Sequence, residues 1–141
     1  MSTFRKHAAI AALVVLTLAG CGTSKKQLLA ADESQVKLRS IQTRVYDTTD
    51  SERMLRTVMA TLQDLNFVID DANLDLGTVS ATKLDRYTIR MTVSVRPRGQ
   101  TQLLVRANAQ CNLRAIEEPG PYQQFFDVLS KSLFLAVHQV D

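Results

Sequence analysis

The chain has 141 residues, 45% of them hydrophobic, with 17 Lys and Arg against 14 Asp and Glu for a formal charge of +3. That length suits one domain able to bury a core without disulfides. Its five glycines are scattered, which excludes a Gly-rich phosphate loop.

The first element is a leader. Arg5 and Lys6 give a basic start, residues 8–16 an apolar run, and Leu18-Ala19-Gly20-Cys21 a small-residue cleavage site. The apolar run is too short for a bilayer span, which needs about 20 residues. Residues 1–21 resemble a bacterial lipoprotein signal with its lipobox. The resemblance implies cleavage between Gly20 and Cys21 and acylation of Cys21. Gly22, where Asp would favour retention in the inner membrane, implies sorting to the outer membrane, facing the periplasm. Losing Arg5 and Lys6 takes the formal charge from +3 to +1. That removes the compositional case for nucleic-acid binding, which needs a basic patch on the folded domain.

Residues 21–38 read as the lipidated cysteine and a flexible tether, and residues 39–141 as one globular domain. As a coil, roughly 17 residues span on the order of 20–25 Å. Residues 39–46 alternate as a strand, with Ile41, Thr43 and Val45 opposite Ser40, Gln42 and Arg44. Thr49 and Glu52 form a capping box. Behind it Met54, Leu55, Val58, Met59, Leu62 and Leu65 share one helical face, which Asn66 ends in a left-handed conformation with Phe67 packing back.

Residues 67–69 predict a short strand, residues 70–77 a turn-rich stretch, and residues 77–83 a strand with Val79 and Ala81 on one face. Tyr87, Ile89, Met91, Val93 and Val95 alternate with polar neighbours. Pro97-Arg98-Gly99 turns the chain. Leu103, Val105, Ala107, Ala109, Cys111 and Leu113 then alternate with Arg106, Asn108, Gln110, Asn112 and Arg114. The two runs predict a hairpin with one buried and one wet face, and Cys111 on the buried side. Pro121 begins a last helix with an apolar stripe of Tyr122, Phe125, Phe126, Leu129, Leu133, Phe134 and Val137.

The predicted order is β-α-β-β-β-β-α. It implies an α+β two-layer sandwich, an antiparallel sheet of about five strands with two helices on one face. In this order and pattern, residues 39–138 resemble the BamC-like helix-grip domains of small outer-membrane lipoproteins. That resemblance implies accessory work in an envelope assembly or export complex.

Chemistry is sparse. His138 is alone after the leader, so no base with an orienting partner can be built around it. Cys111 has no neighbouring His to generate a thiolate. Asp71, Asn73 and Asp75 begin like a calcium loop, but Leu76 and Thr82 occupy the positions that need Gly and a bidentate Glu. No catalytic residue, metal or cofactor is therefore expected. What remains is the wet sheet face, whose Arg90, Arg106, Asn108, Gln110 and Arg114 would suit a polar or acidic protein partner. The alternative is a module that binds a small apolar ligand or lipid between helices and sheet, for which a pocket of about 300–1,000 Å³ is required.

Overall fold

The computed structural model describes residues 25–138, with the side chains of 29, 30 and 32–135. The lipobox, Gly20 and Cys21 lie outside the described residues, as do the side chains of Val137 and His138.

The chain divides after Ser34 into two units. The described part of the first, residues 25–34, is helical throughout. It belongs to α1 (Lys25–Ile41), which takes up residues 25–38 of the expected flexible tether and the first residues of the expected strand. The segment is rich in Lys, Gln, Leu, Ala and Glu, all good helix formers. No Gly or Pro interrupts the chain between Gly22 and Gly77. The helix lacks an apolar stripe, and Leu29 and Val36 are exposed, so periodicity gives no sign of it.

Within the second unit, β1 (Thr43–Tyr46) is followed by α2 (Ser51–Asp64), β2 (Val68–Asn73), β3 (Thr78–Leu84), β4 (Thr88–Arg98), β5 (Gln102–Cys111), β6 (Arg114–Ala115) and α3 (Pro119–His138). The architecture is α+β. The strands form an open antiparallel sheet in the order β1-β5-β4-β3-β2, with β6 also paired to β5. Because β1 and β2 lie on opposite edges, α2 has to cross the sheet between them. It packs over β2, β3 and β4, while α3 packs over β5 and against α2.

The ends of α2 follow local chemistry. Its N-cap is Asp50, one residue later than the capping box predicts: the Asp50 carboxylate accepts from the Arg53 amide at 2.9 Å. Glu52 pairs instead with Arg56. At the other end Asn66 takes φ +64°, the Asn66 amide donates to the Gln63 carbonyl, and the Phe67 amide reaches back to that of Leu62. This is a Schellman close, as the sequence predicts. Met54, Leu55, Val58 and Leu62 are buried, with Met59 and Leu65 packed at the margin.

β2 runs four residues beyond the predicted Ile69, through a bulge between Ile69 and Asp71. It turns at residues 74–77, where Gly77 has φ +58°. A Cβ on Gly77 would stand 2.6 Å from the Val95 carbonyl oxygen, so only glycine fits against β4. The β4–β5 hairpin turns at residues 99–101, so β4 continues through Pro97 and Arg98. Val79, Ala81, Met91, Val93, Val95, Leu103, Val105, Ala107 and Ala109 face the helices and are buried. Tyr87 lies in the β3–β4 bend and is exposed. Leu113 is exposed as well, because Asn112, at φ +55°, reverses the chain before it. Cys111 is half-buried at the end of β5, not enclosed.

α3 begins at Pro119, two residues before the predicted start, with Gly120 and Pro121 in its first turn. The missing amides there cost nothing, since first-turn amides have no partner inside the helix. Tyr122, Phe125, Phe126 and Leu129 are fully buried, and the rings of Phe125 and Phe126 meet edge to face at 5.1 Å. Phe134, expected in the apolar stripe, is largely exposed.

The edge strand β1 presents its faces the opposite way from its apolar pattern. Arg44 pairs with Val105 and Tyr46 with Leu103, so they turn toward the helices, while Thr43 and Val45 turn outward. Gln42, Arg44 and Tyr46 meet a row on α3. Gln42 donates to the Tyr122 hydroxyl at 3.2 Å. The Arg44 guanidinium lies over the Phe126 ring and pairs with Asp127 at 3.3 Å. The Tyr46 and Ser130 hydroxyls share a hydrogen bond of 3.1 Å. Burial pushes the Tyr46 phenol above its ordinary pKa, against a smaller opposing pull from Ser130.

The Tyr122 hydroxyl also accepts from the Ala109 amide at 3.2 Å and donates to the Ile116 carbonyl at 2.6 Å. Its one donor and both acceptor positions are therefore used.

Two stability measurements follow. Phe126→Ala should cost about 3–5 kcal/mol, as for other large core aromatics, and lower the urea midpoint accordingly. Tyr122→Phe keeps the ring but leaves the Ala109 amide and the Ile116 carbonyl without this partner. It should cost about 1–3 kcal/mol in the same measurement, although no apolar contact is lost.

Candidate functional site

Among the described residues, α2 and α3 cover one side of the sheet. The other side is built from the outward members of each alternation. Cross-strand pairs set its layout: Arg90 faces Gln110, Thr92 faces Asn108, and Ser94 faces Arg106. On the next strand Ser80 stands beside Thr92, with their hydroxyls 3.2 Å apart. Thr82 donates to the Asp70 carboxylate at 2.6 Å. Arg106 reaches toward the Thr43 hydroxyl across β1, at 3.4 Å, and is half-buried. The surface is thus a field of hydroxyl and amide groups with cations set into it.

Arg90, Asn108 and Gln110 are exposed, and no hydrogen bond or ion pair ties their side chains to another described residue. Arg90 and Arg106 are four ladder pairs apart along the hairpin. At about 3.4 Å per residue this spaces their Cα positions roughly 13 Å along the strands, too far to grip one small anion together. The arrangement fits an extended or flat polar surface that meets each cation separately.

Four of the five sequence-predicted face residues, Arg90, Arg106, Asn108 and Gln110, share this face. Arg114 does not. The expected single strand ends at Cys111, and the turn at Asn112 and Leu113 folds Arg114 back beside it as part of β6. Directly paired residues of an antiparallel ladder point to the same side, so Arg114 takes the side of Cys111 and leaves the face. The signal for this turn was Asn112, a residue that tolerates the left-handed region.

The acidic stretch does not form a cage. Asn73 uses its side-chain oxygen on the Leu76 amide at 2.8 Å, closing its own turn. Among the described residues, no group of three or more His, Cys, Asp or Glu side chains is placed to hold a metal ion. The space between helices and sheet is filled by the core aromatics. A separate groove of about 240 Å³ opens beside β1 and the start of α2, lined by Tyr46, Asp50, Arg53, Met54, Leu133 and Phe134. It is smaller than the roughly 300–1,000 Å³ of typical ligand pockets.

Among the described residues, no helix is long and apolar enough to cross a membrane. No protein-family model matches the chain, and no curated protein matches it.

Proposed function

We propose that this chain is a non-enzymatic, lipid-anchored binding domain, held at the outer membrane through Cys21 and facing the periplasm. Its open sheet face docks a protein partner within an envelope assembly, export or efflux complex. The observation that carries the docking reading is the exposed set Arg90, Asn108 and Gln110, which has polar capacity left unused by the fold. The anchor reading rests on Leu18-Ala19-Gly20-Cys21 and the apolar run before it. A cation-bearing, hydroxyl-rich face favours an acidic or polar partner surface. Charges at such a rim set encounter rate and specificity more than raw affinity.

Two experiments test the two halves. Cys21→Ala should abolish metabolic labelling with a radioactive fatty acid and release the protein from membranes; labelling that persists refutes the anchor. For the face, Arg90→Glu with Arg106→Glu should reduce capture of a crosslinked partner while costing about 1–2 kcal/mol of unfolding free energy, because Arg106 is half-buried and loses its bond to the Thr43 hydroxyl. Equal capture by wild type and double variant refutes docking on this face.

A further inference from the structure

Antiparallel pairing brings two turns to the same end of the sheet. Leu84 pairs with Thr88 across the β3–β4 turn, Ile89 pairs with Cys111, and the Asn112 amide donates to the Thr88 carbonyl at 2.8 Å. Turns are ordinarily polar, yet these carry large apolar side chains held out in solvent: Leu113 is 96% exposed, Leu84 80% and Tyr87 62%. Val68, opposite Thr82 on β2, stands just behind them and is exposed too.

Arg86 and Arg114 flank these side chains. Both are exposed, and neither is tied by an ion pair or hydrogen bond to a described residue. Asp85 is the one acid within the two turns. The far end of the sheet also exposes two leucines, Leu74 at 53% and Leu76 at 59%, but its 74–77 turn carries Asp75 and no Arg or Lys, and its 99–101 turn is Gly99, Gln100 and Thr101.

We propose that this end of the sheet is a membrane-contact tip that seats on a bilayer surface carrying anionic headgroups. Leu84, Tyr87 and Leu113 enter the interfacial zone, and Arg86 and Arg114 meet lipid phosphates. Exposed apolar side chains gathered at one place mark an interaction surface. Tyrosine favours the headgroup level, where its ring is shielded and its hydroxyl stays wet. Cations near an anionic leaflet add attraction.

The tip is formed by two separate turns at one end of the sheet, so its apolar side chains and cations are spread over a surface, which fits a bilayer. Part of its backbone is already satisfied, because the Asp85 amide donates to the Tyr87 carbonyl at 3.2 Å and the Asn112 amide to that of Thr88. That lowers the cost of leaving bulk water. None of this requires a lipid on Cys21.

The chain has no tryptophan, so Tyr87→Trp in the full chain gives a single reporter. On vesicles of phosphatidylcholine mixed with phosphatidylglycerol, its emission should shift to the blue and be quenched by lipids brominated on the acyl chains. Leu74→Trp, at the far end of the sheet, should stay unquenched on the same vesicles. Adding Arg86→Gln and Arg114→Gln to Tyr87→Trp should raise the lipid concentration needed for the blue shift on the order of 30-fold. Arg90 and Arg106 remain untouched, so this result is separate from partner capture. If the Tyr87→Trp protein binds the vesicles while its reporter stays unshifted and unquenched, the proposal is overturned, because another part of the chain then makes the contact. Equal quenching at both reporters, or equal binding to neutral vesicles, overturns it too.

Discussion

One hydroxyl joins four parts of the chain. The edge of β5 is shared between two short strands: β1 serves it as far as Ala107, whose amide donates to the Gln42 carbonyl, and β6 with Ile116 serves it from Ala109 onward. Between them the Ala109 amide has no strand partner, and the Tyr122 hydroxyl fills that place. The same oxygen holds Gln42 and, through its proton, Ile116. It ties α3 to both edge strands where neither can reach the other. A buried polar group of this kind is worth most when all its valences are met, and costs most when one partner is removed.

The row that continues from Tyr122 has a metric reason. Alternate residues of a strand advance about 6.8 Å, and every fourth residue of a helix about 6 Å. Gln42, Arg44 and Tyr46 therefore keep step with Tyr122, Phe126 and Ser130 over two intervals, before twist and mismatch separate them. A four-residue strand is about as long as such a match can run. The polar heads lie at the sheet edge, where water reaches Arg44 and Asp127, so the ion pair there adds little and the stacking on Phe126 does the positioning.

This arrangement explains which parts of the fold were legible in the sequence. α2, the β4–β5 hairpin and the buried stripe of α3 have strong periodicity of the kind their environment demands, and Asn66 marks a helix end by backbone conformation alone. β1 misleads because an edge strand over amphipathic partners can bury Gln and Arg by their stems and heads, so its apolar side is not its inner side. α1 misleads because helix propensity without amphipathy leaves no pattern to count. The face residues Arg90, Arg106, Asn108 and Gln110 were readable because two long strands fix their parity. Arg114 was not, since a single left-handed residue at Asn112 resets parity, and alternation continues on paper through a turn that ends it in space.

The division of β5's edge between two short strands has a further consequence for self-association. A sheet with one bare face and two long straight edges invites copies to add strand to strand. Here one edge is broken into β1, four residues long, and β6, two residues long, with a tyrosine side chain between them. The opposite edge, β2, is kinked by its bulge and carries Asp70 and Asp71. Neither edge offers a continuous flat template, which works against strand-to-strand addition of copies at either margin.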